Sequence, residues 1–88
     1  MIYLVTIKKK ALKGVVKMPV AIQVKLKVLI QALELGGPIQ AHWPNFSKLS
    51  VTEYHCHLAR KWVACWRMEE GTIAIEVYYA GSRENAPY

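Results

Sequence analysis

Gly36-Gly37-Pro38 divides the chain into two stretches of different hydrophobic period, and any fold must serve both. Glycine is the usual residue just past a helix C-terminus, and a following proline cannot continue the helix. Before this break, Ile22, Leu26, Leu29, Ile30 and Leu33 fit one helix face within Val20 to Leu35. Val20, Ile22, Val24, Leu26 and Val28 also alternate as a strand would, but the segment is long for a strand, so a helix is expected. Lys8 to Met18 carries Ala11, Leu12, Val15, Val16 and Met18 at helical spacing, with Gly14 as a weak point and Pro19 at the boundary. Together these segments predict an αα-hairpin. Ile2 to Ile7, short, β-branched and aromatic, reads as a strand ahead of it.

After the break the period changes to two. Gln40 to Ser50 is irregular, with turn chemistry at Pro44 and Asn45. Strands are expected at Tyr54–Leu58, Trp62–Met68 and Thr72–Ala80, joined by Ala59-Arg60-Lys61 and by Glu69-Glu70-Gly71. The predicted class is α+β: an N-terminal strand, a two-helix hairpin and an antiparallel β-meander. At 88 residues this is one domain spanning 1–88, and with 53% hydrophobic residues it is far too apolar for disorder.

Register sharpens the reading. A hairpin centred on Arg60 sets Cys56 opposite Ala64, Tyr54 opposite Trp66 and Leu58 opposite Trp62. One face is then Tyr54, Cys56, Leu58, Trp62, Ala64 and Trp66, apolar enough to lie under the helices. The other carries His55, His57, Val63, Cys65 and Arg67. Cys56 and Cys65 point to opposite faces, which argues against a bridge between them. With no secretory signal and no apolar run of transmembrane length, free thiols in a reducing cytoplasm and no membrane partner are expected.

Charge is distributed unevenly. Twelve Lys and Arg face six acidic residues, all glutamate, for a formal charge of +6. Residues 1–33 hold Lys8, Lys9, Lys10, Lys13, Lys17, Lys25 and Lys27 and no acid at all. Such a field draws a polyanion or an acidic protein, or else is a solvated face that keeps the protein soluble.

His55 and His57 leave one strand face about 7 Å apart. That spacing suits a shared metal, with Glu76 or Cys65 as a third ligand, or an acid and a base on either side of a phosphodiester. The plainer alternative is two polar residues on an exposed sheet face. Arg60, Lys61, Arg67 and Arg83 add cations near the pair, as a developing phosphorane charge requires. Tyr88 either folds back to stack on a base or frays as a chain end. No Gly-rich phosphate loop, Cys-x-x-Cys, Gly-x-Ser-x-Gly or His-Glu-x-x-His occurs, and without Asp a two-metal carboxylate nuclease is hard to build.

The element order and the C-terminal third resemble the RelE/ParE toxin superfamily. The resemblance rests on Lys48-Leu49, Tyr54-His55-Cys56-His57-Leu58, Trp62-Val63-Ala64-Cys65-Trp66 and Gly81-Ser82-Arg83-Glu84-Asn85-Ala86-Pro87-Tyr88. It implies the toxin of a type II toxin–antitoxin system, a ribosome-dependent mRNA endonuclease in which the 2′-hydroxyl attacks the adjacent phosphate. The site implied is His55, His57, Arg83 and Tyr88, with no metal and no cofactor. The partners implied are a cognate antitoxin in a hetero-oligomer, the ribosome and mRNA. Val63 stands where RelE-type enzymes carry an arginine, so Arg60 or Lys61 is expected to take over phosphate stabilisation. The lysines named above, with Arg67, are expected on rRNA or mRNA phosphates. Two alternatives share the fold: a ParE-like inhibitor of DNA gyrase, and a catalytically inactive binding protein.

Overall fold

The computed structural model describes residues 2–88. Strand β1 (Leu4–Ile7) leads into helix α1 (Lys9–Val16) and helix α2 (Val20–Gly36). A two-residue strand β2 (Ser47–Lys48) follows, then β3 (Glu53–Ala59), β4 (Trp62–Met68), β5 (Ala74–Ser82) and a 3-10 turn over Arg83–Asn85. The sheet runs in the order β1-β5-β4-β3-β2, with the expected antiparallel meander at its centre. The α+β class holds, and β1 makes the sheet mixed by pairing parallel to β5.

Leu26, Leu29 and Leu33 of α2 are buried, and Ile22 and Ile30 pack partly against the same core. The strand-like alternation in this segment is left on the outside: Val20, Val24 and Val28 are exposed. In α1, Ala11 and Val15 turn inward, whereas Leu12 and Val16, expected on the same apolar stripe, face solvent. Eight residues give only two turns, too few for a broad face. No helix among the described residues is long and apolar enough to cross a membrane.

Helix ends need partners for their last carbonyls, and two glutamines provide them. Gln23 Nε2 donates to Val15 O and Met18 O at 3.1 and 3.0 Å, clamping the end of α1 to the start of α2. Gln40 Nε2 donates to Ala32 O and Gly37 O at 3.0 and 2.9 Å. Gly37 has φ +85° and ψ −167°, an extended positive-φ conformation that glycine adopts because it has no Cβ. From there the chain passes under the sheet, where Trp66 Nε1 donates to Pro38 O at 3.0 Å.

The register of β3 and β4 places Tyr54 opposite Trp66 and Cys56 opposite Ala64, as expected. Near the turn it departs: Trp62 pairs with Ala59, not Leu58, and the connection is the two-residue Arg60-Lys61. The irregularity between His57 and Ala59 absorbs one residue at the hairpin end and leaves the faces upstream unchanged. Leu58 still faces the core. A second irregularity leaves Tyr78 unpaired between Val77 and Tyr79. Val77 and Ala80 therefore both enter the core, while Tyr78 and Tyr79 turn to the opposite face.

Candidate functional site

The site is built on the sheet face away from the core. His55 and His57 share it at a ring-centroid separation of 5.8 Å, close to the spacing expected for alternate residues of one strand. This face is not the open surface that the plainer reading supposed. His55 is only 7% exposed, and Val63 and Cys65 are fully buried. The cover is the chain's own C-terminus. Tyr88 lays its ring against His55, with centroids 4.3 Å apart, so it does not fray.

Local structure explains how the tail arrives there. The Tyr79 hydroxyl donates to Ser82 O at 2.6 Å, and Arg83 N donates to Lys61 O at 2.8 Å. The Ser82 hydroxyl accepts from Asn85 N, capping the 3-10 turn. These bonds tie the end of β5 to the Arg60-Lys61 turn and send residues 86–88 back over the sheet.

His55 is held in place by a residue that the sequence reading left in an irregular segment. Ser47, in β2, pairs with His55, and its hydroxyl lies 2.9 Å from His55 Nδ1. Nothing in a two-residue strand signals itself by period, so only the pairing reveals Ser47. Burial, and then the charge of His57, push the His55 pKa below 6.5, with a hydrogen bond to the Ser47 backbone opposing them. Burial raises the Tyr88 hydroxyl, against the nearby Arg83 guanidinium. At neutral pH His55 is accordingly a neutral imidazole and Tyr88 a phenol.

The expected cationic set separates into two. Lys61 and Arg83 come together around one depression that Trp62, Ser82 and Glu84 complete. Arg60 is exposed in the same turn. Arg67 lies six residues along β4 from Lys61, about 20 Å away at strand rise. There it faces Glu76 at 3.7 Å and Glu53 at 4.0 Å, with its guanidinium 4.2 Å from the Tyr78 ring centroid. Its charge is answered within the protein. Lys8, Lys9, Lys10, Lys13, Lys17, Lys25 and Lys27 are all exposed, as a face for a polyanion requires.

Among the described residues no three His, Cys, Asp or Glu side chains gather around a common point. Glu76 is engaged by Arg67, and burial raises the Cys65 thiol to about 12, so neither offers a ready third donor beside the histidines. Cys56 is likewise raised to about 12 by burial, and both thiols are free and buried. Neither has the thiolate character of a reactive cysteine.

A basic α+β domain whose two-histidine sheet face is closed by its own C-terminal tyrosine is thus defined. No family model and no curated protein sequence matches the chain. Solved structures do match its shape. A chain of the archaeal RelE–RelB complex from Pyrococcus horikoshii is 17% identical with TM-score 0.77, over 98% of this chain and 100% of that one. A mutant E. coli toxin RelE in the free state is 17% identical with TM-score 0.76, over 98% and 88%. A chain of the E. coli DinJ–YafQ toxin–antitoxin complex is 14% identical with TM-score 0.68, over 100% of both chains. The fold is that of the RelE-like toxins.

Proposed function

We propose that this protein is the toxin of a type II toxin–antitoxin pair and cleaves mRNA on the ribosome without a metal ion. The observation that carries the reading is the meeting of His55, His57 and Tyr88 on one sheet face, with Arg83 near enough to Tyr88 to favour its ionised form. Neutral His55, oriented through Nδ1 by Ser47, takes the proton of the 2′-hydroxyl. The 2′-oxygen–phosphorus bond forms and the phosphorus–5′-oxygen bond breaks, leaving a 2′,3′-cyclic phosphate and a 5′-hydroxyl. His57 returns a proton to the departing 5′-oxygen. Arg83, with Lys61 and Arg60 from the adjoining turn, stabilises the charge on the phosphorane. Tyr88 stacks on the base beside the cut.

An antitoxin partner is supported by the solved RelE–RelB and DinJ–YafQ complexes. On this chain, Val16, Val20 and Val24 stand exposed beside Lys13, Lys17 and Lys25. That surface suits an amphipathic antitoxin segment with acidic flanks. The same lysines serve ribosomal RNA when the antitoxin is absent, so ribosome binding weakens steeply with salt. The setting is the cytoplasm, where translation occurs.

Primer extension on a reporter mRNA after induced expression tests this. Wild type is expected to cut within translated codons, and the His55→Ala/His57→Ala/Arg83→Ala variant to leave the message whole. Arrested growth with no cuts points instead to a gyrase inhibitor, and neither arrest nor cuts to an inactive binding protein. In the same assay, Arg60→Ala/Lys61→Ala is expected to abolish arrest. Unaltered arrest in that double variant removes both residues from the phosphate-stabilising role.

A further inference from the structure

An open cleft of about 430 Å³ lies where α1 meets the end of β5 and the C-terminal tail. Its size falls within the range of roughly 300–1,000 Å³ typical of small-ligand sites. Its cations are Lys8, Lys10 and Lys17, and no acidic side chain lines it. Trp62 and Ser82 line it too, and both also line the depression that holds Lys61 and Arg83. Trp62 therefore stands on the boundary between two cationic hollows. It is half-buried, packed on one side against the core and open on the other. Arg83, in the second hollow, acts on the charge of Tyr88, which lies on His55. Lys9, Lys13, Lys25 and Lys27 do not line the cleft.

A positive groove with an aromatic ring set into it is the physical pattern of single-strand binding, because any base can stack on the ring while the cations follow the backbone. We propose that this cleft is a second nucleotide subsite for single-stranded RNA. It holds a residue flanking the cleaved step, with the base against Trp62 and the phosphate among Lys8, Lys10 and Lys17. The inference rests on the RNA-cleaving reading and divides the lysines into two groups. Three grip the RNA strand in the cleft, and the rest form the outer field.

The test uses a labelled 2′-O-methyl hexaribonucleotide, which has no free 2′-hydroxyl and cannot be cut, with the full-length protein at low salt. Fluorescence anisotropy compares Lys8→Gln/Lys10→Gln/Lys17→Gln with Lys9→Gln/Lys13→Gln/Lys25→Gln. Both variants lose three positive charges, all from exposed positions. The cleft variant is expected to bind about tenfold more weakly than the outer one, and equal losses overturn the proposal. Trp62→Leu keeps an apolar side chain at the half-buried position and removes the stack. It is expected to weaken binding about tenfold, towards the lower end of the range for loss of one stacked base. Unchanged affinity in a folded Trp62→Leu protein, or no binding by wild type, also overturns it. Codon-level cuts that persist at wild-type efficiency in both the cleft variant and Trp62→Leu sink the subsite and leave the nuclease reading standing.

Discussion

Replacing His55 with alanine is expected to slow cleavage of ribosome-bound mRNA by about 10²- to 10⁴-fold, the range that one general acid–base group supplies. The expectation follows from the state of the imidazole rather than from its presence alone. Burial and the neighbouring His57 hold the His55 pKa below 6.5, so the base form is populated throughout the neutral range. The wild-type rate should accordingly hold as pH falls to 6.5 and decline only below it. The hydrogen bond that opposes the depression is to the Ser47 backbone, so Ser47→Ala keeps it and the acid limb should stay where it is. An NMR titration of the His55 ring gives the complementary sign: His57→Ala removes a like charge and should raise its pKa. An acid limb centred at or above 6.5, or a ring pKa unmoved by His57→Ala, would count against His55 as the base. The same depression affects stability. The unfolded chain protonates His55 at the ordinary value and the folded chain only below it. The neutral imidazole's contribution is thus complete above pH 6.5 and is lost as pH falls through the folded-state pKa.

Gly14→Ala should destabilise the protein by about 3 kcal/mol, read as a fall in the denaturation midpoint with an unchanged denaturant slope. Helix propensity alone predicts the opposite, a gain of about 1 kcal/mol from replacing a glycine inside a helix. The sign turns on one close approach. A Cβ placed on Gly14 would overlap the Ala80 carbonyl oxygen, and the atom it meets is backbone that cannot rotate away. α1 lies directly on β5 here, so relief requires moving the helix off the strand. That movement would also open the cleft lined by Lys10, Gly14 and Lys17. A Gly14→Ala protein as stable as wild type would show that α1 does not sit this close to the sheet.

Much of the fold was legible because the signals were local. Trp62–Met68 reads as a strand and forms one with the same bounds, and the Gly36-Gly37-Pro38 break falls where α2 ends. The helix face of Ile22, Leu26, Leu29, Ile30 and Leu33 is the one that meets the core. Length settled this segment in favour of a helix over the competing alternation. The two-faced hairpin was also accessible, since alternation determines sides before pairing is known. What failed lay at the ends of elements. Turn geometry decided that Ala59, not Leu58, pairs with Trp62, and hydrophobic pattern carries no information about a one-residue bulge.

The candidate site divides along the same line. Strand period alone puts His55 and His57 on one face, and composition alone places the lysine-rich field in the first 33 residues. Those features depend on neighbours in the chain. Tertiary structure decided which groups meet across long separations. It brought Ser47 to His55 through a strand of two residues, laid Tyr88 over the histidine face, and paired Arg67 with Glu53 and Glu76 away from Arg83. It also turned Gly14 from a weak point of a helix into the contact that seats that helix on the sheet. Each of these is set by strand order and packing distance, quantities that no local window of sequence contains.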